Sequence, residues 1–409
     1  MLSARFLEFI LFGLISLYSG CSRPETGPKI VPHLLPGNYL HTNGSQIVDS
    51  AGHPVRICSV GWGWYGGSPW GLNEFHYKPA FQALAVNGIN CVRICTDDAQ
   101  ILNDSEIKVD SSLNPDLAGL KYNQALQEVV RYGASIGLKF IIESHLNENN
   151  SQFPSNGNGL WYDLGGASDG TDGNGQTGTV TSDGFLQAWQ IRANLFKGNE
   201  AVIGYDLRNE PHYGPATWGD GNTDTDYRLM YERVGNAIQD IDPGPLIVCE
   251  GLQAYGNGAP SGDLRQSTIG QAMVILSVPD KVVYSVHEYP TEVSETGMNS
   301  GPDYVSYMNR VWGWLYVQHI APVWVGECGD NMRTTAGQQW ADTFVSYVNG
   351  QSGNQGGPEF KGNEQGISWS WWDFYPVQTN QVPDFGILNS ASDGVDLQQQ
   401  KYWEQMLGH

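Results

Sequence analysis

The chain has 409 residues and a formal net charge of −22, from 43 acidic against 21 basic side chains. An acidic surface repels phosphate backbones, so a nucleic-acid partner is disfavoured, whereas a neutral polymer is indifferent to it. The 14 Trp and 20 Tyr can build a large core or offer flat platforms, and for any single one the core is the default reading. The length is enough for one (β/α)8 barrel, which takes about 250 residues and tolerates insertions to beyond 400.

Arg5 precedes an apolar run from Phe9 to Tyr18, followed by Ser19-Gly20-Cys21. A basic start, a short apolar run and small residues read as a secretory signal over 1–21, which implies a secreted or extracytoplasmic protein. The run is shorter than the roughly 20 residues of a bilayer span. Cys21 leaves two outcomes open: a lipid anchor on that cysteine, as in bacterial lipoproteins, or ordinary cleavage. Residues 22–37 read as a linker and 38–409 as one domain, with a monomer expected.

Asn43-Gly44 signals a tight turn between Tyr39-Leu40-His41 and Gln46-Ile47-Val48, so the domain opens on a β-hairpin. Short apolar runs then recur: Val55–Gly61, Ile89–Cys95, Leu138–Ser144, Val202–Leu207, Leu246–Glu250, Val282–His287, Val323–Glu327 and Ile367–Trp371. Continuous apolar runs suit parallel strands covered on both faces. Amphipathic helical spacing fills the gaps at Tyr122–Tyr132, Tyr227–Ile241 and Tyr304–Val317. Eight such strands alternating with helices predict a closed (β/α)8 barrel. An open doubly wound sheet is the alternative, but no Gly-rich dinucleotide loop follows the first strand.

The stretch 165–184 is rich in Gly, Asp and Thr and reads as an exposed loop, with a calcium site the weaker reading because no EF-hand pattern is present. The cysteines Cys21, Cys58, Cys91, Cys95, Cys249 and Cys328 show no CxxC spacing, so they read as small buried residues rather than zinc ligands. No metal and no cofactor are expected.

The chemistry lies at strand C-terminal ends, where barrel enzymes build their sites. Arg208-Asn209-Glu210-Pro211 follows the fourth strand, and Val325-Gly326-Glu327-Cys328-Gly329 ends the seventh. Two carboxylates facing each other across a cleft can hydrolyse a glycoside, one donating a proton and the other attacking or activating water. Either glutamate alone would read as a cap or an ion-pair partner; together, at matching strand ends, they point to catalysis.

The run Gly204-Tyr205-Asp206-Leu207-Arg208-Asn209-Glu210-Pro211-His212 resembles the acid/base strand of glycoside hydrolase family 5, the cellulase family, and Trp324-Val325-Gly326-Glu327 its nucleophile strand. His287-Glu288-Tyr289, Arg93, His145 and Trp369-Ser370-Trp371 resemble further family motifs in the same order, and the likeness runs from about residue 38 to the C-terminus. The resemblance implies a retaining endo-β-1,4-glucanase, with Glu210 as acid/base and Glu327 as nucleophile. A mannanase, xyloglucanase or β-1,3-glucanase on the same scaffold is the alternative, and a non-catalytic sugar-binding barrel the remote one. Asn209 is expected on the sugar 2-hydroxyl, Tyr289 and Arg93 on Glu327, and His287 beside Glu210. His145 is expected on the adjacent sugar and Trp369 beneath it, with Trp371 the alternative platform. The implied partner is a β-glucan polysaccharide or oligosaccharide. Cys328, after the nucleophile, departs from the family pattern.

Overall fold

The computed structural model describes residues 35–63, 69–148, 158–165, 178–212, 214–253, 262–294, 300–377 and 385–407. The signal segment with Cys21, most of the linker and the centre of the Gly/Asp-rich stretch lie outside these residues. Val31–His409 forms one compact unit.

A two-stranded antiparallel hairpin, β1 (His41–Asn43) and β2 (Gln46–Val48), precedes the barrel, with Gly44 at φ 57 in its turn. The barrel strands are β3 (Cys58–Trp62), β4 (Cys91–Asp97), β5 (Lys139–Leu146), β6 (Val202–Asp206), β7 (Leu246–Glu250), β8 (Val282–Glu288), β9 (Val323–Cys328) and β10 (Ser368–Trp372). All pair in parallel with their sequence neighbours, and β10 closes on β3. Each lies within a few residues of its expected position. Several extend one or two residues further towards the C-terminal end, which matters at β10.

The helices around the barrel are α1 (Tyr77–Val86), α2 (Asp98–Asn103), α3 (Tyr122–Ser135), α4 (Ser182–Phe196), α5 (Tyr227–Ile241), α6 (Thr291–Ser294), α7 (Gly301–Met308), α8 (Trp314–Val317), α9 (Thr335–Val348) and α10 (Leu397–Trp403). Caps set several starts: Thr181 accepts from the Gly184 N–H and Asp226 from those of Arg228 and Leu229. The Thr181 cap corrects the reading of 165–184 as loop throughout, because Ser182-Asp183-Gly184 already belong to α4. The helix expected over 304–317 is present, with a π-helical segment inside it. The π-helical segment Asn309–Gly313 joins α7 to α8, and Trp312 within it donates from Nε1 to Glu288 Oε1 at 2.8 Å.

Strand alternation divides the core. Ile57, Cys91, Ile141, Ile203, Leu246, Val248, Val283 and Trp324 form one buried cluster inside the barrel, which Leu35, Leu40 and Ile47 close from the hairpin side. A larger cluster fills the space between barrel and helices. Cys58, Cys91, Cys95, Cys249 and Cys328 are all free and buried. Above the apolar floor, the next inward positions on β4 to β7 are charged (Arg93, Glu143, Asp206 and Glu250), and there the site begins.

Candidate active site

Arg93 sits on β4 between the inward residues Cys91 and Cys95 and is fully buried. It donates from Nε to Asp206 Oδ2 (2.9 Å), from Nη1 to Glu327 Oε1 (2.7 Å) and from Nη2 to Asn209 Oδ1 (2.9 Å). Glu143 Oε1 lies 3.4 Å from Nη2. One guanidinium thus faces three carboxylates, which its planar fork of donors suits. Burial pushes the Glu143 carboxyl up, but Arg93 and His145 outweigh it and hold it at about 2. Burial prevails at Asp206, pushed up to about 6 despite Arg93. The second oxygen of Glu327 accepts from the Tyr289 hydroxyl at 2.7 Å. Donors to both oxygens orient this carboxylate.

Glu210 lies just beyond β6 with φ 41, in the left-handed region. Its N–H donates to Glu250 Oε2 at 2.8 Å, and its Oε1 is 2.9 Å from His287 Nδ1. His287 stands among three carboxylates, with Nδ1 3.5 Å from Glu327 Oε2 and Nε2 3.5 Å from Glu250 Oε2. Burial opposes its charge, but Glu250, Glu327 and Glu210 together push it up to about 10. Burial pushes Glu210 up in turn, and the hydrogen bond and charge of His287 bring it below the ordinary carboxylate value. The pair therefore shares a proton that rests on the imidazole. Ligand atoms of Glu210, His287 and Glu327 all lie within 4.8 Å of one another, so the two carboxylates face each other at close range.

His145 Nδ1 is 3.1 Å from Glu143 Oε2, and its ring stacks on Trp372 with centroids 5.6 Å apart and planes 4° from parallel. Trp372 faces the cleft. The expected platform, Trp369, does not: it is fully buried against the helices and donates from Nε1 to the Met406 carbonyl at 2.9 Å. Trp371 is buried likewise, bonded to Gln399 Oε1 at 2.8 Å. Both assignments are corrected, because on β10 residues 369 and 371 point outward and 368, 370 and 372 inward. Gly61 and Gly63 make room for the ring, since a Cβ at Gly61 would come within 2.6 Å of Trp372 Cε3 and one at Gly63 within 2.9 Å of its Cη2.

The structure brings together Glu210, Glu327, Arg93, His145, Asn209, His287 and Tyr289, and adds Glu143, Asp206, Glu250 and Trp372. Glu143 shares strand parity with His145, and Glu250 ends β7 as His287 nears the end of β8; those were the available signals. Cys328 lies outside the cluster, facing the helices with Sγ donating to the Ser370 carbonyl.

Paired carboxylates at the strand ends of an eight-stranded parallel barrel are the working parts of a glycoside hydrolase. A family model described as cellulase (glycosyl hydrolase family 5) matches residues 48–378, and the chain belongs to that family. It is 31% identical over 334 residues to an endoglucanase of Paenibacillus polymyxa, covering 76% of each chain. It is 26% identical over 345 residues to the major extracellular endoglucanase of Xanthomonas campestris pv. campestris, covering 82% of this chain and 65% of that protein. In fold it is similar to a hyperthermophilic endocellulase of Pyrococcus horikoshii, with a TM-score of 0.71 at 20% identity, over 91% of this chain and 99% of the other.

Proposed function

We propose that this protein is an exported endo-β-1,4-glucanase that works by double displacement, with Glu327 as nucleophile and Glu210 as acid/base. The endoglucanase relatives support the substrate class, and the extracellular description of the Xanthomonas protein supports export through residues 1–21. The observation that carries the mechanism is the approach of the Glu210 and Glu327 oxygens to within 4.8 Å. So close an approach of one oxygen pair supports the roughly 5–5.5 Å carboxyl spacing of retaining enzymes over the roughly 6.5–9.5 Å of inverting ones.

In the first step Glu327 attacks the anomeric carbon from below. The proton held between His287 and Glu210 passes to the glycosidic oxygen, and the bond to the leaving chain breaks. In the second step the Glu210 carboxylate takes a proton from water as that water attacks the same carbon and releases Glu327. Arg93 holds the Asn209 carbonyl oxygen, which orients the amide for the sugar 2-hydroxyl. Trp372, with His145 stacked on it, is the platform for the sugar at the cleavage point.

Azide rescue with β-cellobiosyl substrates separates the roles. In E327G, azide enters the space left by the nucleophile and displaces fluoride from β-cellobiosyl fluoride, giving the α-azide. In E210A, the covalent intermediate forms but lacks a base, and azide captures it as the β-azide. The swapped anomers would reverse the two assignments. Faster turnover of β-mannobiosyl than of β-cellobiosyl fluoride by the unmodified enzyme would overturn the substrate class.

A further inference from the structure

Behind Glu210 lies an acid that the two-step cycle does not use. Glu250 ends β7 at the parity of Leu246 and Val248, which point into the barrel, and its side chain is fully buried. Its Oε2 accepts the Glu210 N–H at 2.8 Å and lies 3.5 Å from His287 Nε2. The other imidazole nitrogen is 2.9 Å from Glu210 Oε1, so the three side chains form a continuous line. Gln253 ties both ends together. Its backbone N–H donates to the Pro211 carbonyl at 2.6 Å, and its amide donates to Glu250 Oε1 at 3.3 Å and also bonds the Glu210 carboxyl. Glu210 holds φ 41, a conformation that side chains other than glycine keep only when their surroundings impose it.

We propose, building on the assignment of Glu210 as acid/base, that Glu250 is a positioning residue for the general acid: it clamps the left-handed Glu210 backbone and closes the Glu250–His287–Glu210 line from behind. Without an acceptor at this point the Glu210 N–H is buried unpaired, and the backbone relaxes to satisfy it. The carboxyl then leaves its line to the glycosidic oxygen, and a misplacement of about 1 Å can cost on the order of 100-fold in rate.

The electrostatics agree with this placement. Burial pushes Glu250 up to about 8 against the pull of His287, and Glu210 and Asp206 add to the push. The titratable groups facing Glu250 and His287 are Asp206 on β6, Glu210 beyond it, Glu327 on β9, and Tyr227 and Tyr231 on α5. His145 on β5 acts on Glu210 from the far side. Once ionised, Glu250 stabilises the proton on its nearest cation, His287.

The test compares E250A, E250Q and E210A on aryl β-cellobiosides whose leaving groups range from phenol to dinitrophenol. If Glu250 positions the acid, E250A loses about 100-fold on the phenyl substrate and less than about threefold on the dinitrophenyl one, which needs no proton. E250Q keeps an acceptor for the Glu210 N–H and recovers most of that loss. It also lowers the titration midpoint of His287, read by NMR of the labelled imidazole, because a neighbouring negative charge is gone. Uniform loss in E250A beside selective loss in E210A refutes the role of Glu250 alone. Uniform loss in E210A overturns the acid assignment and the clamp with it. Should E250A fail to fold, an unchanged His287 midpoint in E250Q refutes the proposal.

Discussion

The Tyr289 hydroxyl should govern one half of the catalytic cycle and hardly touch the other. It donates to Glu327 Oε2 at 2.7 Å in a buried setting, within the short range of bonds to charged acceptors. Removing one such bond, as in Y289F, forfeits about 1.5–3 kcal/mol, which is about 10- to 150-fold in rate. The bond is strongest when Glu327 is a full anion. Attack on the sugar consumes that charge, so losing the donor does not slow the first step. Hydrolysis of the intermediate regenerates the charge, so the second step bears the whole loss. Arg93 still holds Oε1, so the carboxylate keeps its orientation. With a dinitrophenyl β-cellobioside, Y289F should show kcat and KM falling together, kcat/KM nearly unchanged, and a stopped-flow burst equal to the enzyme concentration. A fall in kcat/KM as large as that in kcat, with no burst, would refute the reasoning.

The two tryptophan assignments separate by what they damage. W372A should lose about 10- to 150-fold in kcat/KM at nearly unchanged melting temperature, since about 1.5–3 kcal/mol of contact with the sugar disappears. W369A should lose about 3–5 kcal/mol of stability in a denaturant titration while the folded fraction keeps its kcat. The reverse pattern would restore Trp369 as the platform. Glu288 supplies a pH-dependent case. It is buried against Tyr304 and Trp312, and burial pushes it up to about 7 from an ordinary value of 4.5. A raised folded-state value stabilises the fold at pH below the unfolded value, and that stabilisation is lost as pH rises through the folded one. E288Q should therefore gain on the unmodified protein as pH rises from about 4.5 to 7, by up to about 3 kcal/mol. Parallel melting curves of the two proteins across that range would show that Glu288 does not titrate there.

The barrel was legible because its strands are short apolar runs, and most site residues because strand ends in a parallel barrel carry the chemistry. The failures have equally local causes. Ile367–Trp371 was read as a strand with Trp369 at the site, yet the serines at 368 and 370 are the inward residues, and that parity continues to Trp372. One residue of parity exchanges the two faces of a strand. Ser182-Asp183-Gly184 have loop composition, and only the Thr181 cap marks them as the start of a helix. The π-helical segment Asn309–Gly313 had no sequence signal, since amphipathic spacing runs through it. Glu143 and Glu250 carry little signal of their own, because a lone carboxylate in a strand resembles a solvated residue until the opposing Arg93 and His287 are in place.

The same Coulomb interactions also bear on how one carboxyl can serve first as acid and then as base. In the resting site Glu327 is one of three carboxylates raising the proton affinity of His287, which lies in hydrogen-bond contact with Glu210. A neighbouring anion favours the protonated form of an acid, and that effect grows where water is excluded. So while Glu327 is ionised, the proton that Glu210 must donate stays in the site. Attack converts Glu327 to a neutral ester and removes that anion in the same step that removes the proton. The pair has then given up its proton, so Glu210 stands beside neutral His287 as a carboxylate, the form that can take a proton from water. Hydrolysis restores the Glu327 charge and with it the proton affinity that begins the next cycle. Trapping the intermediate with a slowly hydrolysed fluorosugar should therefore lower the titration midpoint of Glu210, read by carbon NMR of the labelled side chain. A midpoint that stayed in place or rose on trapping would separate the acid and base roles from the charge on Glu327.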